Sequence, residues 1–291
     1  MRPALRTLAR AKVNLALHVT GRRSDGYHEL DSLVVFPEIG DRLSIEADDH
    51  VSLHVHGRFA DALTETPARD NLVVRAAECL LARLGADGLG ARMTLQKSVP
   101  VAAGIGGGSS DAAAALRLLR ELWAPALPDA DLAALALPLG ADVPMCLLEQ
   151  PARIGGIGED ITPIAIMPRF GMVLVNPGTA LATPAVFRAL ERRSNPPLPT
   201  LPAAGFPTLP DLLEWVEPTR NDLEPPAITL LPEIADVLEA LRAAPETRLT
   251  RMSGSGATCF AITDDDAAAA KLAVKISAAR PDWWVASGLC R

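Results

Sequence analysis

The sequence predicts an α+β fold in two domains, and three observations carry that expectation. Stretches of alternating apolar and polar residues recur among stretches with helical spacing, and the two kinds do not alternate strictly, which disfavours a doubly wound parallel sheet. At 291 residues the chain is comfortable for two compact domains. Hydrophobic residues make up 49% and charged residues 22%, so a sizeable core forms without a metal or disulfide staple. The glycine-rich "ARIGGIGEDITPI" changes the texture of the chain and puts the boundary near residue 155, dividing it into 1–155 and 156–291.

Taken in order, "AKVNLALHVTGRRSDGYHELDSLVVFPEIGDRLSIEA" reads as strands joined by turns. Val13, Leu15 and Leu17 alternate with Asn14, Ala16 and His18, the pattern of a half-buried strand. "LDSLVVF" resumes that pattern beyond "GRRSDGYHE", and "HVSLHVHG" repeats it. "NLVVRAAECLLARL" has helical spacing and ends at Gly85 and Gly88. "ARMTLQKSVP" returns to strand, closed by Pro100, and a glycine loop leads into a helix that runs to about Trp123. "DADLAALALPLGADVPMCLLE" predicts a short helix, a stop at Gly140, and a buried strand or turn. "FGMVLVNPG" is a buried strand, and "TPAVFRALERR" starts a helix with Thr183 as N-cap and Pro184 at N1. The proline-dense "SNPPLPTLPAAGFPTLPDL" suits neither a helix interior nor a central strand and predicts a surface excursion. "TRLTRMSGSGATCFAIT" reads as strand, glycine turn, strand; "DDDAAAAKLAVKISAA" is an acid-capped helix and "WWVASGLC" a last strand.

A formal charge of −7 argues against nucleic acid or an anionic membrane as partner, since both reward clustered Lys and Arg. Cys79, Cys146, Cys259 and Cys290 lie far apart with no C-x-x-C pair, which reads as reduced thiols of a cytoplasmic protein. The first residues carry arginines throughout and no continuous apolar stretch, unlike a signal peptide, and no apolar run approaches the length of a bilayer span. Nothing in the sequence signals an oligomeric state.

The chemistry concentrates in "PVAAGIGGGSSDAAAAL", from Pro100 to Leu116. It follows an expected strand and opens an expected helix. A helix start offers unpaired N–H groups and partial positive charge, which together hold phosphate oxygens. Glycine lets backbone N–H groups approach phosphate without a Cβ in the way and allows φ > 0 where they converge. Ser109 and Ser110 can cap the helix, or donate hydroxyls to phosphate or a metal-bound water. The loop is neither G-x-x-x-x-G-K-[ST], since no lysine follows, nor G-x-G-x-x-G, since Ser109 stands where glycine is required. A flexible strand-to-helix connector is the competing reading.

Other residues stand out singly. Lys12 and Asn14 occupy alternate positions of the first strand and so share a face, either a solvated edge or a polar site. Asp142 in "LGADVP" follows a helix stop, a C-terminal cap region where a carboxylate is electrostatically unfavourable, and reads as a loop acid or a functional one. Tyr27, the sole tyrosine, and His28 flank a turn, as a packed surface pair or a ring pocket. "SGSG" at 253–256 suffices as a tight hairpin. His54 and His56 alternate without a third ligand and read as a solvated strand face, and Asp264–Asp266 read as helix-capping acids.

These stretches together resemble the GHMP kinases. "PVAAGIGGGSSDAAAAL" is similar to that superfamily's phosphate loop, "AKVNLALHVTGRRSDGYHEL" to its N-terminal substrate motif, and "MSGSGATCFAI" to its C-terminal glycine motif. The three consecutive glycines, "GRRSDGYHEL", "LGADVP" and "RNDLEPPAI" resemble the branch whose acceptor is a small cytidine diphosphate-linked alcohol. The match spans nearly the whole chain in order; the proline-rich 196–210 segment stays outside it. The resemblance implies an N-terminal ribosomal-protein-S5-like domain and a C-terminal ferredoxin-like domain. It implies ATP, with Mg2+ accompanying the nucleotide, at Pro100, Val101, Ala102, Ala103, Gly104, Ile105, Gly106, Gly107, Gly108, Ser109 and Ser110. Lys12 becomes the catalytic lysine, Asp142 the general base, and Asn14 a substrate or phosphate contact. Tyr27 stacks on cytosine, His28 reads its polar edge, and Phe187 is a second stacking position. A homoserine-kinase-like relative would have no use for that base pocket. A non-catalytic nucleotide or sugar sensor would not need both Lys12 and Asp142.

Overall fold

The computed structural model describes residues 3–64, 67–85 and 88–291. In chain order the elements are β1 (Leu5–Arg10), β2 (Val13–Arg22), β3 (His28–Val35), β4 (Gly40–Asp48), β5 (Val51–His56), α1 (Leu72–Leu84), β6 (Gly90–Gln96), α2 (Gly107–Trp123), α3 (Asp129–Ala136) and α4 (Val143–Leu148). There follow β7 (Ala152–Gly156), β8 (Asp160–Pro163), β9 (Phe170–Asn176), α5 (Thr183–Ala189), α6 (Leu209–Val216), α7 (Glu224–Leu230), α8 (Glu233–Arg242), β10 (Leu249–Met252), β11 (Cys259–Thr263), α9 (Asp266–Ala279) and β12 (Trp284–Cys290). They form two compact units interleaved along the chain. The first comprises Met1–Ala11, Gly40–Val101 and Gly106–Glu149, the second Lys12–Ile39, Ala102–Ile105 and Gln150–Arg291.

In the first unit a four-stranded sheet runs β1-β4-β6-β5, with only β5 and β6 parallel, as the α1 crossover between them requires. The Asn71 side chain caps α1 by accepting from Val73 N at 2.9 Å, and Gly85, at φ +58°, ends it. α1 buries Val73, Ala76, Ala77 and Leu80, while α2 buries the run Ala112–Ala115, small side chains that let the two helices pack. The stretch after Gly140, expected as buried strand or turn, is the helix α4. Pro144 lies in its first turn, where a missing N–H costs nothing.

The second unit holds two antiparallel sheets, β2-β3-β7-β8 and β10-β11-β9-β12. The latter, with its intervening helices and α9, has the β-α-β-β-α-β order of a ferredoxin-like domain. Val173 and Val175 of β9, Val237 and Leu241 of α8, Leu272 and Ile276 of α9, and Leu17 and Val19 of β2 share one core. Asp265 caps α9 by accepting from Ala268 N at 2.8 Å, as the acidic run predicts. Thr183 does not cap α5: Ala182 is the N-cap, and the Thr183 hydroxyl pairs with Ser255 at 2.7 Å instead.

β2 is not half-buried, because both of its faces are covered from Val13 to Val19. Its outer edge is closed by "RND": Leu17 N donates to Arg220 O at 2.9 Å, Asp222 N to Leu17 O at 2.8 Å, and Val19 N to Asp222 Oδ2 at 2.7 Å. The proline-rich segment covers the His18 side. Leu198 N donates to Asp31 Oδ2 at 2.8 Å, and Arg153 forks onto both Asp31 oxygens at 2.7 and 2.6 Å. That segment has no ladder of its own, so side chains satisfy its backbone, and Leu198 and Phe206 are buried beneath it. It is the surface excursion that the prolines predict, pinned as a strap by these contacts.

His18 sits between the two partners that fix its tautomer. Nε2 accepts from Arg220 N at 3.3 Å, so Nδ1–H donates to Pro196 O at 2.9 Å. Burial, above all, lowers its pKa below the usual histidine value of 6.5. A depressed histidine favours folding fully above 6.5, and that contribution fades as the pH falls through 6.5 toward the folded value. The stability gap between the wild type and His18→Gln, followed by urea unfolding, is accordingly expected to shrink from pH 7 to pH 5. Phe206→Ala is expected to cost about 3 kcal/mol in the same measurement, the scale for emptying a buried aromatic site; a loss below half a kilocalorie would leave the strap unpinned.

Candidate active site

The glycine loop ends where α2 begins. Gly106 is the N-cap in left-handed conformation, φ +64°, and Ser110 N makes the first intrahelical bond, to Gly106 O at 2.9 Å. The N–H groups of Gly107, Gly108 and Ser109 precede that bond and lack helical partners by geometry. The N-cap has no side chain to occupy them. The serines do not cap: both lie inside the first turn, and Ser110 is buried with its hydroxyl 3.4 Å from Cys146 Sγ. Asp142 lies close by in the chain of contacts, one turn before Cys146, whose N–H bonds Asp142 O at 3.1 Å. It is the N-cap of α4, not a C-terminal position, and the dipole there favours a carboxylate.

The preceding residues, Ala102–Ile105, belong to the second unit and are held by motifs far away in sequence. Thr258 N donates to Ala103 O at 3.2 Å, Ser253 Oγ to Gly104 O at 3.2 Å, and Lys12 N to Ile105 O at 3.0 Å. Gly104 has φ +76°, and a Cβ there would lie 2.5 Å from Ser253 O. The "SGSG" turn thus packs directly on the loop. Lys12 falls in the connector before β2, not on a strand, yet it shares a face with Asn14: Nζ donates to Asn14 Oδ1 at 3.1 Å. Asn14 Nδ2 donates to Ser32 Oγ at 2.7 Å, and Ser32 Oγ to Ala16 O at 2.6 Å, so the amide is locked in orientation. Asn14 N is freed from the β3 ladder by a register shift and donates to Ser253 Oγ at 3.1 Å. Both side chains are buried, which excludes the solvated-edge reading.

In the same unit His28 and Phe187 stack with ring centroids 4.9 Å apart and planes 26° from parallel. Burial, then the charges of Arg22 and Arg193, lower the His28 pKa, so its ring is neutral at pH 7. His28 Nε2 is buried without a hydrogen-bond partner among the described residues. Tyr27 is 63% exposed beside it in sequence, an unusual place for a large ring.

Comparisons with known proteins give the family. The pattern of the GHMP kinases N terminal domain matches residues 71–150, and that of the GHMP kinases C terminal matches residues 207–282. A 4-diphosphocytidyl-2-C-methyl-D-erythritol kinase of Cereibacter sphaeroides is 53% identical over 96% of both chains. The chain belongs to the GHMP kinases. A 4-diphosphocytidyl-2-C-methyl-D-erythritol kinase of Parvibaculum lavamentivorans is 51% identical over 95% of both chains. A crystal structure of a 4-(cytidine 5'-diphospho)-2C-methyl-D-erythritol kinase superposes with a TM-score of 0.81 at 37% identity, covering 98% of this chain and 99% of the other.

A GHMP kinase uses ATP, and the loop fits a phosphate group: the N–H groups at the start of α2 lack helical partners, and the glycine N-cap carries no side chain to cover them. No group of three or more His, Cys, Asp or Glu that could hold a metal occurs among the described residues. His54 and His56 stack at 5.8 Å without a third ligand.

Sequence reasoning overlooks one group entirely. Lys97, 2% exposed, donates to Asp41 and, at 2.8 Å, to Asp111 Oδ2 in the early turns of α2. Lysine directly before a proline-closed loop carries no local signal of burial, and Asp41 is 56 residues away.

Two glycines separate conformational need from mere spacing. Gly104→Ala must both hold φ > 0 and clear Ser253 O, and is expected to cost about 2 kcal/mol or more in thermal or urea unfolding. Gly108→Ala meets only Leu72 Cδ1 at 3.7 Å inside a helix, and is expected to be neutral or to stabilise by up to about 1 kcal/mol. Equal effects at the two positions would contradict the geometry.

Proposed function

We propose that this chain transfers the γ-phosphoryl group of ATP to the 2-hydroxyl of 4-diphosphocytidyl-2-C-methyl-D-erythritol, in non-mevalonate isoprenoid precursor synthesis. The observation that carries the acceptor is the 53% identity, over 96% of both chains, to a kinase of that name. ATP supplies the phosphoryl group; the chain supplies position and charge. Residues 100–110 hold the nucleotide phosphates, chiefly through the N–H groups at the start of α2. Lys12 neutralises charge on the phosphoryl oxygens, its reach set by the Asn14 amide, and Asn14 contacts substrate or phosphate. Asp142 accepts the proton of the acceptor hydroxyl. Because phosphoryl transfer is largely dissociative, alignment of that hydroxyl matters as much as proton removal.

Neutral His28 reads the cytosine edge with its unpaired Nε2, supported by Phe187, and the exposed Tyr27 ring closes over the base. The four cysteines read as thiols of a cytoplasmic protein, and no described helix is long and apolar enough to cross a membrane.

The test is coupled ADP release with 4-diphosphocytidyl-2-C-methyl-D-erythritol, homoserine, mevalonate and galactose as acceptors. Turnover with the first alone is expected; turnover with one of the others alone would overturn the acceptor assignment. Lys12→Ala and Asp142→Asn are each expected to lower kcat about a hundredfold or more, the scale of one lost transition-state partner. Tyr27→Ala is expected to raise the acceptor KM while leaving that of ATP unchanged; an unaltered acceptor KM would remove Tyr27 from the base pocket.

A further inference from the structure

The buried charges beneath the start of α2 lie outside the proposed chemistry. Lys97 Nζ bridges Asp41 of β4 and Asp111 of α2. The Asp41 Oδ1 accepts from Val99 N at 3.1 Å and from Ser98 N, so the same carboxylate fixes the chain entering the loop. A Cβ built on Gly107 would lie 3.6 Å from Lys97 Nζ and 3.8 Å from Asp41 Oδ2, so the first residue of α2 rests on this triad. One ammonium faces two carboxylates, a net negative charge in a dry place. Asp111 Oδ1 is buried without a hydrogen-bond partner.

We propose that Asp111, held by Lys97 against Asp41, is a positioning residue for the phosphate loop that takes up a solvent proton on its unpartnered Oδ1 when an anionic phosphate group docks at the start of α2. The proposal rests on the phosphate-site reading above. Protonation at Oδ1 leaves Oδ2 as acceptor for Lys97, so the cross-link from the loop entry to the helix survives the change of charge.

The electrostatics point the same way. Burial raises the Asp111 pKa to about 7, helped by the Asp41 carboxylate and opposed by the Lys97 ammonium. Lys97 remains protonated: burial acts against its charge, but the two carboxylates outweigh it and raise its pKa. Among the described residues, Lys97 and Asp41 are the charged groups that act on Asp111. α1 presents Val73, Ala76, Ala77 and Leu80, α3 presents Leu132 and Ala136, and α4 presents Cys146 toward Ser110. Arg10 of β1 and Arg117 of α2 are both engaged with Glu149. Asp111 lies four residues beyond Gly107, about 6 Å along the helix axis. A negative charge roughly 6–8 Å away, at an effective dielectric constant of about 20, raises a carboxyl pKa by roughly one to two units. The site then passes from partly ionised to neutral between pH 7 and pH 8.

Calorimetric titration with ADP, in buffers of different ionisation heat, counts the protons. The wild type is expected to take up about half a proton more per ADP than Asp111→Asn between pH 7 and 8, the fraction such a pKa rise displaces. Equal proton counts in two proteins that both bind ADP would overturn the proposal and leave the phosphate site intact. Failure of the wild type to bind ADP would overturn the phosphate-site reading, and the proposal with it. Should the variant not fold, carboxyl-carbon NMR of the wild type gives the answer directly. The Asp111 pKa is expected to rise by roughly one to two units on adding ADP, and an unmoved pKa would overturn the proposal.

Discussion

A helix start aims several unpaired N–H groups at one point, provided that no side chain projects in front of them. Gly104, at positive φ, leaves room for Ser253 O, and Gly106, also at positive φ, is the bare N-cap from which α2 starts. Much else in the second unit exists to hold the first of these glycines. Ser253 closes on Gly104, Thr258 on Ala103 and Lys12 on Ile105, each through a carbonyl that the loop cannot satisfy by itself. The Asn14 side chain, oriented by Ser32, also accepts from the Lys12 ammonium. Asn221 then ties the glycine motif to the rest of the fold, donating to Met252 O and Gly254 O at 2.8 Å each. A kinase site thus begins as a problem of backbone accounting.

Charge is the second constraint. Ionised groups buried here are paired or held neutral. Lys97 keeps its proton because two carboxylates surround it, whereas His18 and His28 are kept neutral by burial and nearby arginines. Removing Lys97 would strand Asp41 and Asp111 in the dry interior, so the triad couples the integrity of the loop entry to that of α2. The stacked His28 and Phe187 rings follow a related logic: a neutral imidazole packs against a phenyl ring and still offers one nitrogen.

What was legible in the sequence was local. α1, α2 and α9 follow from spacing and from Asn71, Gly85 and Asp265, whose partners lie within a turn. The loop geometry was also legible, since its glycines and the following helix are contiguous. Features decided by distant partners were not. Alternation made β2 look half-solvated because Asn195–Leu198 and Arg220–Asp222, which cover it, lie far along the chain. Thr183 looks like a cap until Ser255, 72 residues on, takes its hydroxyl. The stretch after the stop at Gly140 reads as strand or turn, yet Pro144 suits a first turn and begins α4, which moves Asp142 to a helix start. For Lys12, Asn14 and Tyr27 the proposed roles come from resemblance alone, because a single polar residue in an apolar stretch carries no address.

The central claim is the identity of the bond formed, and phosphorus NMR of the product reads it directly. The acceptor carbon at position 2 is tertiary, with no attached hydrogen. Incubation of the chain with ATP and 4-diphosphocytidyl-2-C-methyl-D-erythritol should therefore give a new phosphomonoester resonance with no three-bond splitting by a carbinol proton, beside an unchanged diphosphate. A doublet or triplet would place the phosphoryl group on a secondary or primary hydroxyl. Either pattern, or release of inorganic phosphate alone, would contradict the account.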